Sequence, residues 1–173
     1  MNVLVTGDVG YIGSHTCVEL LNRGVGVVCI DNLVNSSVRA VERVEQITGK
    51  HIEFYENDVR DRAALDHIFE KHNIDCVIHF AGLKAVGESV AMPLEYYDNS
   101  LFSTVTLCEA MRDHGAKNIV FSSSATVYSG DLAAVYASPD KSAQLLGWRA
   151  QYNLDDMCRD TWNWQKNNPM GYM

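Results

Sequence analysis

Short apolar runs alternate with stretches whose apolar residues recur every three or four positions, from the first residues of the chain onward. Val3-Leu4-Val5 reads as a buried strand running into Gly7. Ile12, Thr16 and Leu20 then fall at helical spacing, predicting a helix over residues 11–23 that stops at Gly24. Residues 25–30 form a second apolar run. Ser36 or Ser37 is placed to cap a helix carrying Val38, Val41, Val44 and Ile47, ended by Gly49. Residues 52–55 give a third strand, and Asp61 caps a helix with Ala64, Leu65 and Ile68. Residues 76–80 give a fourth strand. Pro93, suited to a first helical turn, opens a long helix to about His114, and residues 119–122 give a fifth strand.

Strands apolar at every position, alternating with amphipathic helices, predict a parallel sheet covered on both faces. Right-handed crossovers reduce the topologies to a doubly wound, Rossmann-like α/β sheet, most simply ordered 3-2-1-4-5. Beyond Tyr128 the rhythm breaks. Ser138-Pro139-Asp140 starts a short helix ending at Gly147. Asn153-Leu154-Asp155-Asp156 caps another, with Leu154, Met157, Cys158, Thr161 and Trp162 on one stripe and Asn167-Asn168-Pro169 at its end. The expected organisation is therefore a dinucleotide-binding domain over 1–128 and an appended segment over 129–173, too small to be a second domain.

Composition narrows the function. A length of 173 residues suits one core, and 47% apolar with 21% charged residues is ordinary for a globular chain. The formal net charge of -8 disfavours binding to nucleic acid, which needs a basic surface. No apolar run reaches membrane-spanning length, and Met1 leads directly into a strand; a cytoplasmic chain without a membrane partner is expected. The five cysteines form no Cys-x-x-Cys pair and are expected to be mostly buried small hydrophobes. His67 and His72 are read as a solvated helix face, and no metal site is predicted.

Chemistry concentrates in Thr6-Gly7-Asp8-Val9-Gly10-Tyr11-Ile12-Gly13, which follows a strand and opens a helix. Glycines at Gly7, Gly10 and Gly13 allow a tight turn and close backbone approach, so that amides and a helix N-terminus can hold a pyrophosphate. Asp31 ends the second strand, 18 residues after Gly13. A carboxylate there accepts from the adenosine ribose hydroxyls and repels a 2′-phosphate, which selects NAD over NADP; the alternative is a cap for the Asp31-Asn32 loop. Asp8 brings a second carboxylate to the loop. Each close charge pair with a pyrophosphate there costs on the order of 1–4 kcal/mol.

At these residues the chain resembles the UDP-glucose 4-epimerases, within the extended short-chain dehydrogenase/reductase family. The matching stretches are residues 3–13, Tyr11-Ile-Gly-Ser-His-Thr-Cys17, Asp31-Asn-Leu33, His79-Phe-Ala-Gly-Leu-Lys-Ala-Val-Gly-Glu-Ser89, Pro93-Leu-Glu-Tyr-Tyr-Asp-Asn99 and Ser122-Ser-Ser-Ala-Thr-Val-Tyr128, without evident gaps over 1–128. The resemblance implies that Tyr11 and Ile12 line the pyrophosphate. It puts Asp31, Asn32, Asn35 and Ser36 at the adenosine ribose, and Asp58 and Val59 at adenine. Phe80, Ala81, Gly82 and Lys84 would lead toward nicotinamide, with Asn99 and Ser122 nearby. Ser124 would contact the UDP-sugar and the catalytic tyrosine. By composition alone Phe80 is equally a core residue, Lys84 a solvated loop lysine, and Ser122 to Ser124 the end of a strand.

The resemblance breaks after Tyr128. The family's chemistry uses a tyrosine base four residues before a lysine that holds its pKa down. No Tyr-x-x-x-Lys occurs in these residues: after Tyr136, position 140 is Asp and the lysine is Lys141. Residues 129–136, Leu146-Gly147-Trp148 and residues 155–165 resemble the family's C-terminal end, so the chain reads as an internally truncated epimerase joined near 128–129. The expectation is a chain that binds NAD and lacks epimerase activity. The alternatives are an epimerase whose base is Tyr128, Tyr136 or a partner's group, and an inert fragment that binds no nucleotide. Truncation would leave strand five as a sheet edge and expose Tyr97, Leu101 and Val105. Residues 129–173 would then dock there, with a strand over 132–136, or the chain would form a homodimer through the 93–114 helix or that edge.

Overall fold

The computed structural model describes residues 1–122 and 140–167. Strands β1 (Asn2–Thr6), β2 (Gly26–Asp31), β3 (Glu53–Glu56), β4 (Cys76–His79) and β5 (Asn118–Phe121) form one sheet in the order β3-β2-β1-β4-β5, as expected. All four strand pairs are parallel. The chain divides into two compact units, Met1–Ser122 and Ser123–Met173.

The central strands lack polar alternation because each face of the sheet has its own helical cover. On one side Val3, Val5, Val27 and Cys29 meet Cys17 and Leu21 of α1 (Tyr11–Asn22) and Ala40, Val41 and Val44 of α2 (Arg39–Thr48). On the other, Leu4, Val28, Ile30 and Val77 meet Leu65, Ile68 and Phe69 of α3 (Arg62–Lys71) and Leu107, Ala110 and Met111 of α6 (Ser103–Asp113). Successive strand residues point to opposite faces, so two apolar layers require an unbroken apolar run.

Local signals set several ends. Asp61 accepts from the Ala64 amide at 3.2 Å and starts α3. Gly49 ends α2 in the left-handed region at φ 65°. The helix expected over 93–114 is less regular than its periodicity suggests. It consists of α5 (Pro93–Tyr97), a π-helical turn (Asp98–Phe102) and α6. A short helix α4 (Val86–Ala91) precedes it, unforeseen, and Pro93 restricts Met92 at the break. Tyr97, Leu101 and Val105 are exposed, and so is β5, which lies at the sheet's edge.

In the second unit, α7 (Asp140–Leu146) is followed by Gly147 at φ 64°. At the start of α8 (Leu154–Asn167), the Asn153 side chain accepts from the Asp156 amide and Asp156 accepts from the Asn153 amide, each at 3.0 Å. This reciprocal cap matches the expected start of the helix. The strand expected over 132–136, together with Ser124, Tyr128 and Tyr136, lies outside the described residues.

Two expectations need correction. Of the five cysteines, Cys17 and Cys29 are buried, Cys76 is half-buried, and Cys108 and Cys158 are exposed. His72 is not merely solvated: its Nε2 pairs with the Tyr55 hydroxyl at 2.8 Å across from β3, while His67 meets the Tyr55 ring edge-on. Among the described residues no helix is long and apolar enough to cross a membrane, and no cluster of three His, Cys, Asp or Glu could hold a metal ion.

Candidate functional site

A cleft of about 810 Å³ lies beyond the carboxyl ends of the strands, within the size range of cofactor sites. Its floor begins where β1 ends. Gly7 turns the chain at φ 69° and passes so close to the loop after β4 that a Cβ there would stand 2.6 Å from the Ala81 nitrogen. A Cβ at Gly13 would stand 2.5 Å from the Gly7 carbonyl oxygen and 2.6 Å from the Asp8 Cα. No other residue type fits either position, and the result is a tight backbone cradle leading into α1. That helix starts at Gly10 without a side-chain cap, and its first intrahelical bond is from Ser14 N to Gly10 O. The amides of its first turn are thus unspent, and with the helix dipole they favour an anion.

The cleft gathers nearly every cofactor residue expected from the sequence. Gly7, Gly10, Tyr11, Ile12 and Gly13 line it from the glycine loop, and Asp31, Asn32 and Asn35 from the end of β2. Asp58 and Val59 line it from the loop after β3, and Phe80, Ala81, Gly82 and Lys84 from the loop after β4. Asn99 enters from the π-helical turn and Ser122 from the end of β5. Ser36 is off this wall; it donates to Asp31 Oδ1 at 2.9 Å. Ser124 lies outside the described residues.

Asp31 caps its loop and at the same time lines the cleft. Its Oδ1 accepts from the Leu33 amide at 2.8 Å, capping a loop in which Leu33 adopts φ 57°, and the carboxylate also lines the cleft. Phe80 likewise lines the cleft while packing partly against the α1–α2 layer. Lys84 is exposed on the wall.

Several wall residues were not foreseen. Arg60 joins Asp58 to Asp98, and Asn32 donates to Asp58 at 2.9 Å. The Arg60 guanidinium holds the Asp58 carboxyl well below the usual carboxylate range. Asp98, Leu94 and Glu95 complete that side. Arg60 and Asp98 are separated by 38 residues, so no local pattern could have paired them.

Beneath the cleft, His79 is buried between two threonines. Thr104 donates to the Ser100 carbonyl at 2.9 Å, so it accepts from His79 Nε2 at 3.1 Å. That leaves Nδ1 to accept from the Thr6 hydroxyl at 2.6 Å, and Thr6 in turn accepts from the Ala81 amide at 3.3 Å. With a neutral imidazole every bond in this chain has a donor and an acceptor, whereas a cationic ring would leave the Thr6 hydroxyl proton without a partner in it. Burial, helped by the Lys84 charge, pushes the His79 pKa down to about 4. The network ties the loop after β4 to the π-helical turn, where Asn99 accepts from the Leu83 amide at 3.2 Å.

Asp8 departs from expectation. Its side chain does not line the cleft; it is 3% exposed and faces Cys29 in the α1–α2 layer. Burial is the main cause that raises its pKa to about 7; a hydrogen bond from Cys29 opposes the rise and the Asp31 charge adds to it. The carboxyl therefore stands off the cleft wall, and burial favours its neutral form.

The model of the NAD dependent epimerase/dehydratase family matches residues 3–155. The chain belongs to that family. The UDP-glucose 4-epimerase of Bacillus subtilis (strain 168) is 64% identical over 128 residues, covering 74% of this chain and 38% of the relative. That of Klebsiella pneumoniae is 59% identical over 128 residues, covering 74% of this chain and 92% of the relative. Among solved structures, the UDP-glucose 4-epimerase from Bifidobacterium longum in complex with NAD+ and UDP is 60% identical. It has a TM-score of 0.74 and covers 75% of this chain and 38% of that one. The Brucella ovis UDP-glucose 4-epimerase in complex with NAD is 40% identical with a TM-score of 0.68, over 75% of this chain and 37% of its own. The chain thus spans well under half the length of most of these relatives.

Proposed function

We propose that residues 1–122 hold NAD along the cleft. The pyrophosphate lies on the Gly7–Gly13 loop and the first turn of α1, the adenosine ribose hydroxyls on Asp31, and adenine beside Asp58 and Val59. The nicotinamide end lies toward Ala81, Gly82, Lys84, Asn99 and Ser122. One observation carries this reading: the unspent amides of α1 and the Asp31 carboxylate line the same cleft, at the point between β1 and β4 where the strand order reverses. The backbone cradle at Gly7 and Gly13 leaves room for a close-lying diphosphate and for no side chain.

Bound NAD would supply a hydride acceptor, but epimerisation also needs a base for the sugar hydroxyl. The 173 residues contain no Tyr-x-x-x-Lys. Tyr11 is the tyrosine among the described wall residues, its ring lies against His15, and the residue four positions on is His15 and not a lysine. His79 has both nitrogens engaged beneath the floor. The chain is accordingly a dinucleotide-binding unit that does not interconvert UDP-glucose and UDP-galactose, with residues 129–173 as an appended segment. Copies would associate through the exposed Tyr97, Leu101 and Val105 or along β5, a state that light scattering measures directly.

Calorimetry on the full chain tests the reading. NAD should bind, and NADP should bind more weakly. A folded chain that takes up no NAD overturns the site, and turnover of UDP-galactose that is lost in Tyr128→Phe or Tyr136→Phe overturns the absence of catalysis.

A further inference from the structure

Asp8 stands in the middle of the glycine loop, yet its side chain takes no part in the cleft. It turns into the layer between the sheet and α1, where its Oδ1 has no hydrogen-bond partner. The titratable groups facing it are the Cys29 thiol and Asp31 carboxylate of β2, with the Cys17 thiol of α1 behind Cys29 at 3.8 Å from its sulfur. The residues that α2 sends into this layer, Ala40, Val41 and Val44, are apolar. Among the described residues, the groups that act on the Asp8 carboxyl are Cys29, Asp31 and its own backbone, and none of these is a cation. The first turn of α1 rests directly on Asp8, since even a Cβ at Gly13 would collide with the Asp8 Cα. The Asp8 carboxyl, one short side chain away from that Cα, therefore carries its charge close to the amides that would receive an anion.

We propose, resting on the NAD site argued above, that Asp8 makes dinucleotide binding proton-linked: the loop accepts the pyrophosphate when the Asp8 carboxyl is neutral and repels it when that carboxyl is ionised. Burial already brings this group to the edge of neutrality near pH 7. An anion on the adjacent amides favours the neutral form further, so NAD binding takes up a proton, and by reciprocity affinity falls as pH rises above 7. When the bound form stays protonated, the loss is about ten-fold in Kd between pH 6 and pH 8.

Calorimetric titration of the full chain with NAD at those two pH values, in buffers of different ionisation enthalpy, reads both the affinity and the protons taken up. Wild type should weaken about ten-fold and absorb protons at pH 8, and Asp8→Asn should bind equally at both. Asp8→Ala serves as a second neutral variant if the amide perturbs the layer. In the ligand-free protein, a carboxyl NMR titration should find Asp8 near neutrality and moving upward when NAD is added. NAD binding with the same pH dependence in wild type and in the neutral variants overturns the linkage and leaves the site standing. A folded wild type that binds NAD at neither pH overturns the site and the linkage together.

Discussion

In Asp8→Asn, a buried carboxyl becomes an amide of nearly the same shape that cannot ionise. The folded chain holds the Asp8 proton up to about pH 7, against an ordinary value of 3.8. Between those values the folded state binds more protons than the unfolded state. Stability from this group is therefore fully present below 3.8 and is lost as pH rises through 7. A shift of about 3 pH units corresponds to on the order of 4 kcal/mol. His79 runs the other way. Its pKa falls from 6.5 to about 4, so its neutral form contributes stability above 6.5 that is lost as pH drops toward 4. That contribution is about 3 kcal/mol by the same conversion. The two nearly cancel in the wild type, whose stability should change little between about pH 4 and about pH 7 on their account. The variant should match the wild type near pH 4 and exceed it by up to about 4 kcal/mol above pH 7, leaving the His79 rise unmasked. Urea unfolding across this range, followed by far-UV circular dichroism, measures both profiles. Trp148, Trp162 and Trp164 all lie in the second unit, so the first unit has no tryptophan of its own to report on its unfolding. Parallel profiles for the two chains would refute the reasoning, because they would mean that Asp8 titrates alike in the folded and unfolded states.

Other substitutions probe the same architecture. His79→Leu removes the link between Thr6 and Thr104 and should cost about 1–3 kcal/mol through unpaired buried groups; an unchanged urea midpoint would show the network to be incidental. Gly13→Ala drives a methyl into the Gly7 and Asp8 backbone, so it should abolish NAD binding by calorimetry and lower the melting temperature, and normal affinity would refute the cradle. Asp31→Ala should weaken NAD by about 1.5–3 kcal/mol, the range for hydrogen bonds to a charged group, while NADP loses little. Equal losses for the two dinucleotides would remove Asp31 from the ribose site.

Most helix ends were legible in the chain because they depend on near neighbours, and the sheet order because strand–helix alternation with right-handed crossovers leaves few topologies. Unbroken apolar runs such as Val3-Leu4-Val5 signal strands buried on both faces, and Asp61 and Gly49 terminate helices through bonds within a single turn. The cleft was legible for the same reason: a Gly-rich turn between a strand and a helix, and Asp31 at the next strand's end, have one arrangement in a doubly wound sheet. The resemblance of the loop residues around Phe80 and Asn99 added the rest of the wall. Three features depended on tertiary structure. The π-helical turn at Asp98–Phe102 interrupts a helix whose apolar spacing reads as continuous. The Thr6–His79–Thr104 network joins residues 73 and 25 positions apart, and its proton placement follows only from knowing every partner. The direction of Asp8, away from the cleft and into the α1–α2 layer just after the left-handed turn at Gly7, is settled by packing. The residue type set the charge available to the loop, and burial against Cys29, which only packing could create, decided when that charge is present.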